Sequence, residues 1–177
     1  NGLVIRSSMP KEFSKIDGAG KQISEALVDA LADLHKVNYT ELGLENFGKP
    51  DGFIERQING WYSRWTKAKH QDSVEIESIY NWLISNMPKS NNTSLVHNDY
   101  KLDNAMYSFN EPNKLEAIFD WDMCTLGDPL SDLGSLLCYW TDPEDPPFFG
   151  DSTITPKDKS LLTRKELIYR YTQKSGL

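Results

Sequence analysis

The sequence has little cysteine, no long apolar run and no excess of positive charge, and each shortage excludes a class of protein. The two cysteines, Cys124 and Cys138, match neither a CxxC pair nor a zinc-ligand spacing, so neither a disulfide framework nor a zinc site is predicted. No stretch approaches the roughly 20 apolar residues that span a bilayer, and the first ten residues lack an apolar signal core. We therefore expect a cytoplasmic protein without a membrane partner.

Acidic residues outnumber basic ones, with 26 Asp and Glu against 19 Lys and Arg and a net charge of -7. This balance disfavours attraction to phosphate backbones, so no nucleic-acid partner is expected. The 177 residues, 38% of them hydrophobic and 11% aromatic, are enough for one domain over 1–177 with its own core. Nothing in the composition indicates an oligomeric state.

Helical periodicity, with apolar residues three or four positions apart, recurs in five segments. The predicted helices cover 17–36, 58–70, 76–87, 129–140 and 164–176. Their expected caps are Asp72 with Glu75 for the third helix, Asp128 before Pro129 for the fourth, and a Thr163–Glu166 capping box for the last.

Short β-like runs occupy 94–97, 105–109 and 115–120, and the turn residues at 110–113 join the last two as a hairpin. A turn centred on Pro112 would place Asn104 opposite Asp120 at the open end of this hairpin. The predicted fold is therefore α+β and mostly helical, with a small β-hairpin whose ends bring polar side chains together.

Carboxylates are concentrated after the first β-like run, where residues 99–128 contain five aspartates, namely Asp99, Asp103, Asp120, Asp122 and Asp128. Gathered carboxylates repel one another unless a cation or a proton intervenes. Oxygen donors without cysteine suit Mg²⁺, which takes one or two carboxylates and completes its shell with water and phosphate oxygens. The cluster therefore favours a site for a nucleotide with magnesium.

The segment HNDYKLDN at 97–104, followed by IFDWDMCTLGDPLSDL at 118–133, has the residue order of kinase catalytic loops. These motifs resemble the aminoglycoside phosphotransferase and choline kinase-like superfamily, especially the branch of kinase-like domains associated with acyl-CoA dehydrogenases. Segments 33–35, 52–57, 139–143 and 164–176 also resemble that branch, so the resemblance covers nearly the whole chain. The combination of motifs is specific, although any one motif alone would be weak.

The resemblance implies the mostly helical C-terminal lobe of a protein kinase-like fold, acting as an ATP-dependent small-molecule kinase that requires Mg²⁺. In that family pattern Asp99 is the catalytic base or hydroxyl-orienting group, and Lys101 contacts the transferring phosphoryl group. Asn104 and Asp120 hold Mg²⁺ and so bind the nucleotide cofactor, with Asp122 as an auxiliary metal residue. The partners implied are ATP and a small hydroxyl-bearing acceptor, whether aminoglycoside, choline, sugar or hydroxyacyl group.

The N-terminal lobe of such kinases, with its glycine-bearing phosphate loop and its Lys–Glu pair, has no counterpart in these residues. Segment 1–10 resembles the chain just after the hinge between the lobes. We therefore expect a C-terminal lobe cut at both ends, with very weak nucleotide binding and negligible turnover when isolated.

Two other functions stay open at the level of sequence. One is a kinase-like binding module without catalytic activity, and the other is a metal-dependent phosphohydrolase, which would need more histidine ligands.

Trp61, Tyr62 and Trp65 either belong to the core or line an acceptor pocket. His97 is expected to brace the loop, Asp128 and Asp132 are expected to be structural, and so is His35 unless it lies at the surface.

Overall fold

Helices and two small antiparallel sheets form the α+β fold of the computed structural model, which describes residues 1–89, 92–146, 148–149 and 155–177. The helices are α1 (Ala19–His35), α2 (Phe53–Ala68), α3 (Val74–Ser85), α4 (Pro129–Tyr139) and α5 (Arg164–Ser175). The strands are β1 (Leu3–Val4), β2 (Ser94–Val96), β3 (Ala105–Ser108), β4 (Glu111–Ile118) and β5 (Thr125–Gly127).

Helix α1 is present where its periodicity predicts a helix, and it forms the centre of the core. Its residues Ile23, Leu27 and Leu31 are fully buried, and the helix packs against α5 and β4. Two buried tyrosines, one before β3 and one within it, donate hydrogen bonds to the backbone of α1. The hydroxyl of Tyr100 donates to the Leu27 carbonyl at 2.7 Å, and that of Tyr107 donates to the Ile23 carbonyl at 3.2 Å. Burial raises the pKa of both hydroxyls, so both stay protonated donors.

The predicted caps of α4 and α5 are confirmed. The Asp128 carboxylate accepts from the Leu130 amide at 2.8 Å with Pro129 in the first turn, and Thr163 and Glu166 form a complete capping box. The predicted cap of α3 is wrong, because Ser73 rather than Asp72 accepts the Ile76 amide.

The predicted register of the hairpin is also wrong by one residue at its open end. Strand β3 pairs Ala105 with Ile118 and Met106 with Ala117, whereas the predicted turn centred on Pro112 would pair Met106 with Ile118. The turn falls at 109–110 and not at 110–113. Pro112 lies inside β4 and is buried; a proline is tolerated there because β4 is an edge strand of the sheet β1-β3-β4 and the register shifts beside it.

Helices α2 and α3 form an outer pair that packs mainly on itself. Helix α2 begins five residues earlier than predicted, at Phe53, which is the only residue of α2 or α3 that is buried. The three aromatic residues Trp61, Tyr62 and Trp65 are therefore not core residues. They line an apolar groove of about 390 Å³ between the two helices.

Among the described residues, no helix is both long enough and apolar enough to cross a membrane. Both cysteines are free thiols. The cytoplasmic location stays a prediction.

Candidate active site

The predicted site residues lie in two neighbouring loops, the 97–104 loop after β2 and the 119–123 loop after β4. Three hydrogen bonds join the two loops: Phe119 N–H to the Asn104 carbonyl at 2.8 Å, His97 Nε2 with the Phe119 carbonyl at 2.8 Å, and Asn98 Nδ2 to the Met123 carbonyl at 2.8 Å. In addition, strand β2, which leads into the first loop, pairs with strand β5, which follows the second loop. The loops therefore form one surface.

Asp132 of α4 holds the first two backbone amides of the 97–104 loop. Its Oδ2 accepts from His97 N–H at 2.6 Å and its Oδ1 accepts from Asn98 N–H at 2.7 Å. The carboxylate is fully buried, so these charge-assisted bonds are shielded from water. Asp132 is structural, as predicted, and its role is to fix the backbone that carries Asp99.

The buried imidazole of His97 bridges the loops, as the sequence predicts. Its Nδ1 accepts from Asp99 N–H at 3.2 Å, so its Nε2 carries the proton that is donated to the Phe119 carbonyl. The ring also packs edge-on against Tyr100 and at a tilt against Trp121. These contacts leave His97 no free ring nitrogen for chemistry.

Two residues of the site, Asn98 and Asp120, have left-handed backbones with φ of 63° each, and they are the only such non-glycine residues in the described chain. Asn and Asp adopt this conformation more readily than most residues, but each such position still costs energy. Both residues lie just after the end of a strand, and their left-handed backbone changes the direction of the chain there, so that it enters the loop of the site.

The carboxylate of Asp99 is held by two side chains of its own loop. Lys101 Nζ lies 2.9 Å from Oδ1 and 2.8 Å from Oδ2, and Asn104 Nδ2 donates to Oδ2 at 2.9 Å and to the Asp99 carbonyl at 2.9 Å. The side chains of Asp99 and Lys101 are 22% and 19% exposed, so the pair is accessible from solvent but partly shielded.

Lys101 keeps its positive charge in this setting. Burial alone would lower the pKa of its ammonium, but the hydrogen bonds and charge of Asp99, with the charge of Asp103, outweigh burial and raise it. Its Nζ also lies 5.5 Å from the centre of the Tyr139 ring. Asp103 Oδ1 is buried and has no hydrogen-bond partner in the described chain, a feature that the sequence did not indicate.

The sequence predicted that Asp120 lies opposite Asn104, and this prediction is wrong. Phe119 takes the position opposite Asn104 instead. Asp120 is the next residue, at the start of the short 3-10 turn Trp121–Met123 that contains Asp122. Both carboxylates are exposed, and neither makes a hydrogen bond or ion pair with any described residue. They are thus available for a ligand.

The donor chemistry of these residues fits Mg²⁺ completed by phosphate oxygens. Asn104 uses Nδ2 for Asp99, which leaves its Oδ1 as an acceptor. In the described residues, no group of three or more His, Cys, Asp or Glu side chains is gathered tightly enough to hold a metal. A site of one amide oxygen and one or two carboxylates would therefore depend on a bound phosphate.

Two residues with buried side chains, next to Asp132, make contacts that sequence reasoning missed. His35, at the end of α1, lies 3.3 Å from Asp132 Oδ2 and 2.6 Å from the Tyr171 hydroxyl of α5. These partners are 97 and 136 residues away along the chain, so no local pattern could have revealed them.

Comparison with known proteins identifies the family of the chain. The model of the phosphotransferase enzyme family matches residues 18–154, most of the chain. The chain belongs to this family. It is 32% identical over 177 residues to acyl-CoA dehydrogenase family member 11 of Rattus norvegicus and 33% identical over 155 residues to the Homo sapiens protein of that name. The two matches cover 99% and 86% of this chain but only 22% and 19% of the length of the relatives.

Solved structures of phosphotransferases share the fold of this family member. A Ralstonia eutropha protein described provisionally as an aminoglycoside phosphotransferase superimposes with a TM-score of 0.80 at 27% identity, over 98% of this chain and 53% of that one. An aminoglycoside-3'-phosphotransferase of type VIII gives 0.63 at 16% identity, over 98% and 59%. The ternary complex of streptomycin, ATP and APH(2")-IIa gives 0.54 at 19% identity, over 99% and 55%.

Proposed function

We propose that the chain is the C-terminal, acceptor-binding lobe of a small-molecule kinase that transfers a phosphoryl group from ATP to a hydroxyl group. The observation that carries the proposal is the fixed carboxylate of Asp99, which Lys101 and Asn104 hold on a loop clamped by Asp132. Phosphoryl transfer depends mainly on positioning and charge neutralisation, and a preorganised loop of this kind supplies the positioning.

Asp99 would receive the acceptor hydroxyl. Each carboxylate oxygen has about two lone-pair positions, and Oδ1 carries one described donor, Lys101 Nζ. The remaining position on Oδ1 can accept a hydrogen bond from a substrate hydroxyl, orient its oxygen and take its proton as the new bond to phosphorus forms. The rigid backbone keeps this oxygen at one place during the reaction.

Lys101 would contact the transferring phosphoryl group. Its charged ammonium lies 2.8 Å from Asp99 Oδ2, and its side chain is partly accessible to solvent. A phosphate oxygen that approached Asp99 would therefore meet a cation, which reduces repulsion between the phosphate and the carboxylate.

Asn104 and Asp120 would hold Mg²⁺, with Asp122 as an auxiliary ligand. When bound, the ion would neutralise the charge on the phosphate oxygens of ATP. The exposed, unpaired carboxylates of Asp120 and Asp122 and the free Oδ1 of Asn104 support this assignment. Because part of the shell must come from phosphate, metal and nucleotide should bind together.

ATP and a small acceptor are the expected substrates, and the solved complex of streptomycin, ATP and APH(2")-IIa supports this pairing by likeness of fold. The acceptor of this chain is a hydroxyl-bearing small molecule. A metal-dependent phosphohydrolase is less well supported, because the described residues hold no cluster of His and acidic side chains that would bind a metal by themselves.

The test is an acceptor screen with the natural protein that contains this chain. Aminoglycosides, choline, sugars and hydroxyacyl compounds are supplied one at a time with ATP and Mg²⁺, and ATP consumption is measured. The proposal expects consumption that depends on one class of hydroxyl acceptor and yields its phosphate ester. Acceptor-independent release of inorganic phosphate would favour a hydrolase, and no consumption with any acceptor would favour a binding module.

A further inference from the structure

A chain of three buried polar side chains runs from α5 through α1 to α4 beneath the 97–104 loop. Tyr171 of α5 is fully buried, and its hydroxyl lies 2.6 Å from His35 Nδ1. The other ring nitrogen, Nε2, lies 3.3 Å from Asp132 Oδ2. The side chains of His35 and Asp132 are 1% and 0% exposed, so water does not compete for these bonds.

The direction of each hydrogen bond follows from the chemistry of the partners. Burial raises the pKa of Tyr171 to about 12, so its hydroxyl is protonated at neutral pH and can donate to His35 Nδ1, which is the acceptor nitrogen of a neutral imidazole whose Nε2 carries the proton. The Asp132 carboxylate accepts only, so His35 Nε2 must donate to it. Asp132 then receives three donors, from His35 and from the amides of His97 and Asn98.

We infer that His35 is a positioning residue of the 97–104 loop, acting through Asp132. A buried carboxylate with every donor in place has one orientation, and that orientation sets where the two loop amides, and hence Asp99, are held. Without the imidazole, Oδ2 would lose one of its two donors, and only the two loop amides would hold the carboxylate. The edge-on packing of the His35 and Tyr171 rings fixes the imidazole in turn.

The hydrogen-bonded series Tyr171, His35 and Asp132 is called the brace below. Its role in catalysis rests on the proposed function, but its effect on the 97–104 loop can be measured without an activity assay. The direct readout is hydrogen–deuterium exchange at the His97 and Asn98 amides in the 177-residue chain. His35→Leu removes the donor at similar volume, whereas the side-chain amide of His35→Gln can still donate to Asp132. We expect exchange at these two amides to rise about tenfold in His35→Leu and to stay within about threefold of wild type in His35→Gln.

Tyr171→Phe removes the hydroxyl that holds His35, and Tyr169→Phe makes the same change at an exposed position of the same helix. We expect faster exchange at residues 97 and 98 in the first variant and no change in the second. This pair tests the chain of bonds even if His35→Leu does not fold. In an active protein, His35→Leu should lower kcat and leave the KM for ATP nearly unchanged, with His35→Gln restoring most of kcat.

Three exchange results would overturn the inference. They are unchanged exchange at residues 97 and 98 in a folded His35→Leu chain, equal acceleration in His35→Leu and His35→Gln, and an acceleration spread evenly over the whole chain. If exchange responds as expected but no variant or wild type consumes ATP, the brace stands and the proposed kinase function fails. If wild type and His35→Leu share the same kcat, the proposed function stands and the positioning role fails.

Discussion

The side-chain amide of Asn104 lies 2.9 Å from Oδ2 of Asp99 and the same distance from the Asp99 carbonyl oxygen. One side chain thus binds both the backbone and the carboxylate of the residue five positions before it. The amide orientation that this requires turns Asn104 Oδ1 away from Asp99. The same contact therefore orders the proposed base and leaves Oδ1 of Asn104 as the proposed metal ligand.

Replacing Asp120 should weaken metal binding without unfolding the chain. We expect Asp120→Ala to lower the affinity for Mg²⁺ in the presence of ATP by about tenfold or more. Replacing a residue that only supports a metal ligand can already lower metal affinity about tenfold, and Asp120 is proposed as a direct ligand. Calorimetric titration of the natural protein measures this. Asp122→Ala is the matched control, with a smaller expected loss. Equal affinity in wild type and Asp120→Ala would place the metal elsewhere.

Gly127 marks the point where α2 approaches β5. A Cβ atom added there would lie 2.7 Å to 2.9 Å from ring atoms of Phe53, which is buried. We expect Gly127→Ala to lower the free energy of unfolding by about 1–3 kcal/mol through overpacking. Gly134→Ala in α4 is the control, since an added Cβ meets nothing within 4 Å, and should stabilise by about 0.5–1 kcal/mol. Chemical denaturation measures both changes, and equal stabilities for the two variants would contradict this packing.

Asp29 links α1 to α5 through a bidentate pair with Arg170, at 2.6 Å and 2.9 Å. Burial alone would raise the pKa of this carboxyl, but Arg170 and Lys174 outweigh burial and lower it below 3.8. The pair therefore stabilises the fold at pH values above 3.8, and its contribution is lost as the pH falls through the lowered pKa of the folded state.

We expect Asp29→Asn to lower the free energy of unfolding by about 1 kcal/mol at pH 7 and to have no effect at a pH well below the lowered pKa. Urea denaturation at pH 7 and at acid pH gives the two differences. Asp33→Asn, one turn later on α1, is the control and should matter less because its carboxylate is 61% exposed. A loss that stays constant between the two pH values would show that the charge pair is not its cause.

Features that depend on local chemistry were predictable from the sequence. Helix α1 has a strong apolar stripe, α4 has its Asp128–Pro129 start and α5 has its capping box, and each pattern is contained within a few turns of chain. The loop motif likewise placed Asp99, Lys101 and Asn104 within a few residues of one another.

Features that depend on distant partners were not predictable. Strands β1 and β5 have two and three residues, and their strand conformation depends on pairing with β3 and β2. The hairpin register failed because the turn signal around Pro112 lies inside an edge strand with an irregular ladder. The aromatic stripe of α2 has helical spacing like a core stripe, yet Trp61 is 62% exposed.

The proposed role of Asp99 is to orient an acceptor hydroxyl for phosphoryl transfer, and replacing its carboxylate is the sharpest test of this role. Asp99→Asn keeps the size and shape of the side chain but cannot take a proton. In the natural protein, with ATP, Mg²⁺ and its acceptor, we expect kcat for acceptor phosphorylation to fall by about 10²–10⁴-fold, while thermal unfolding stays close to wild type. Phosphorylation by Asp99→Asn at the wild-type rate would show that the Asp99 carboxylate has no such role.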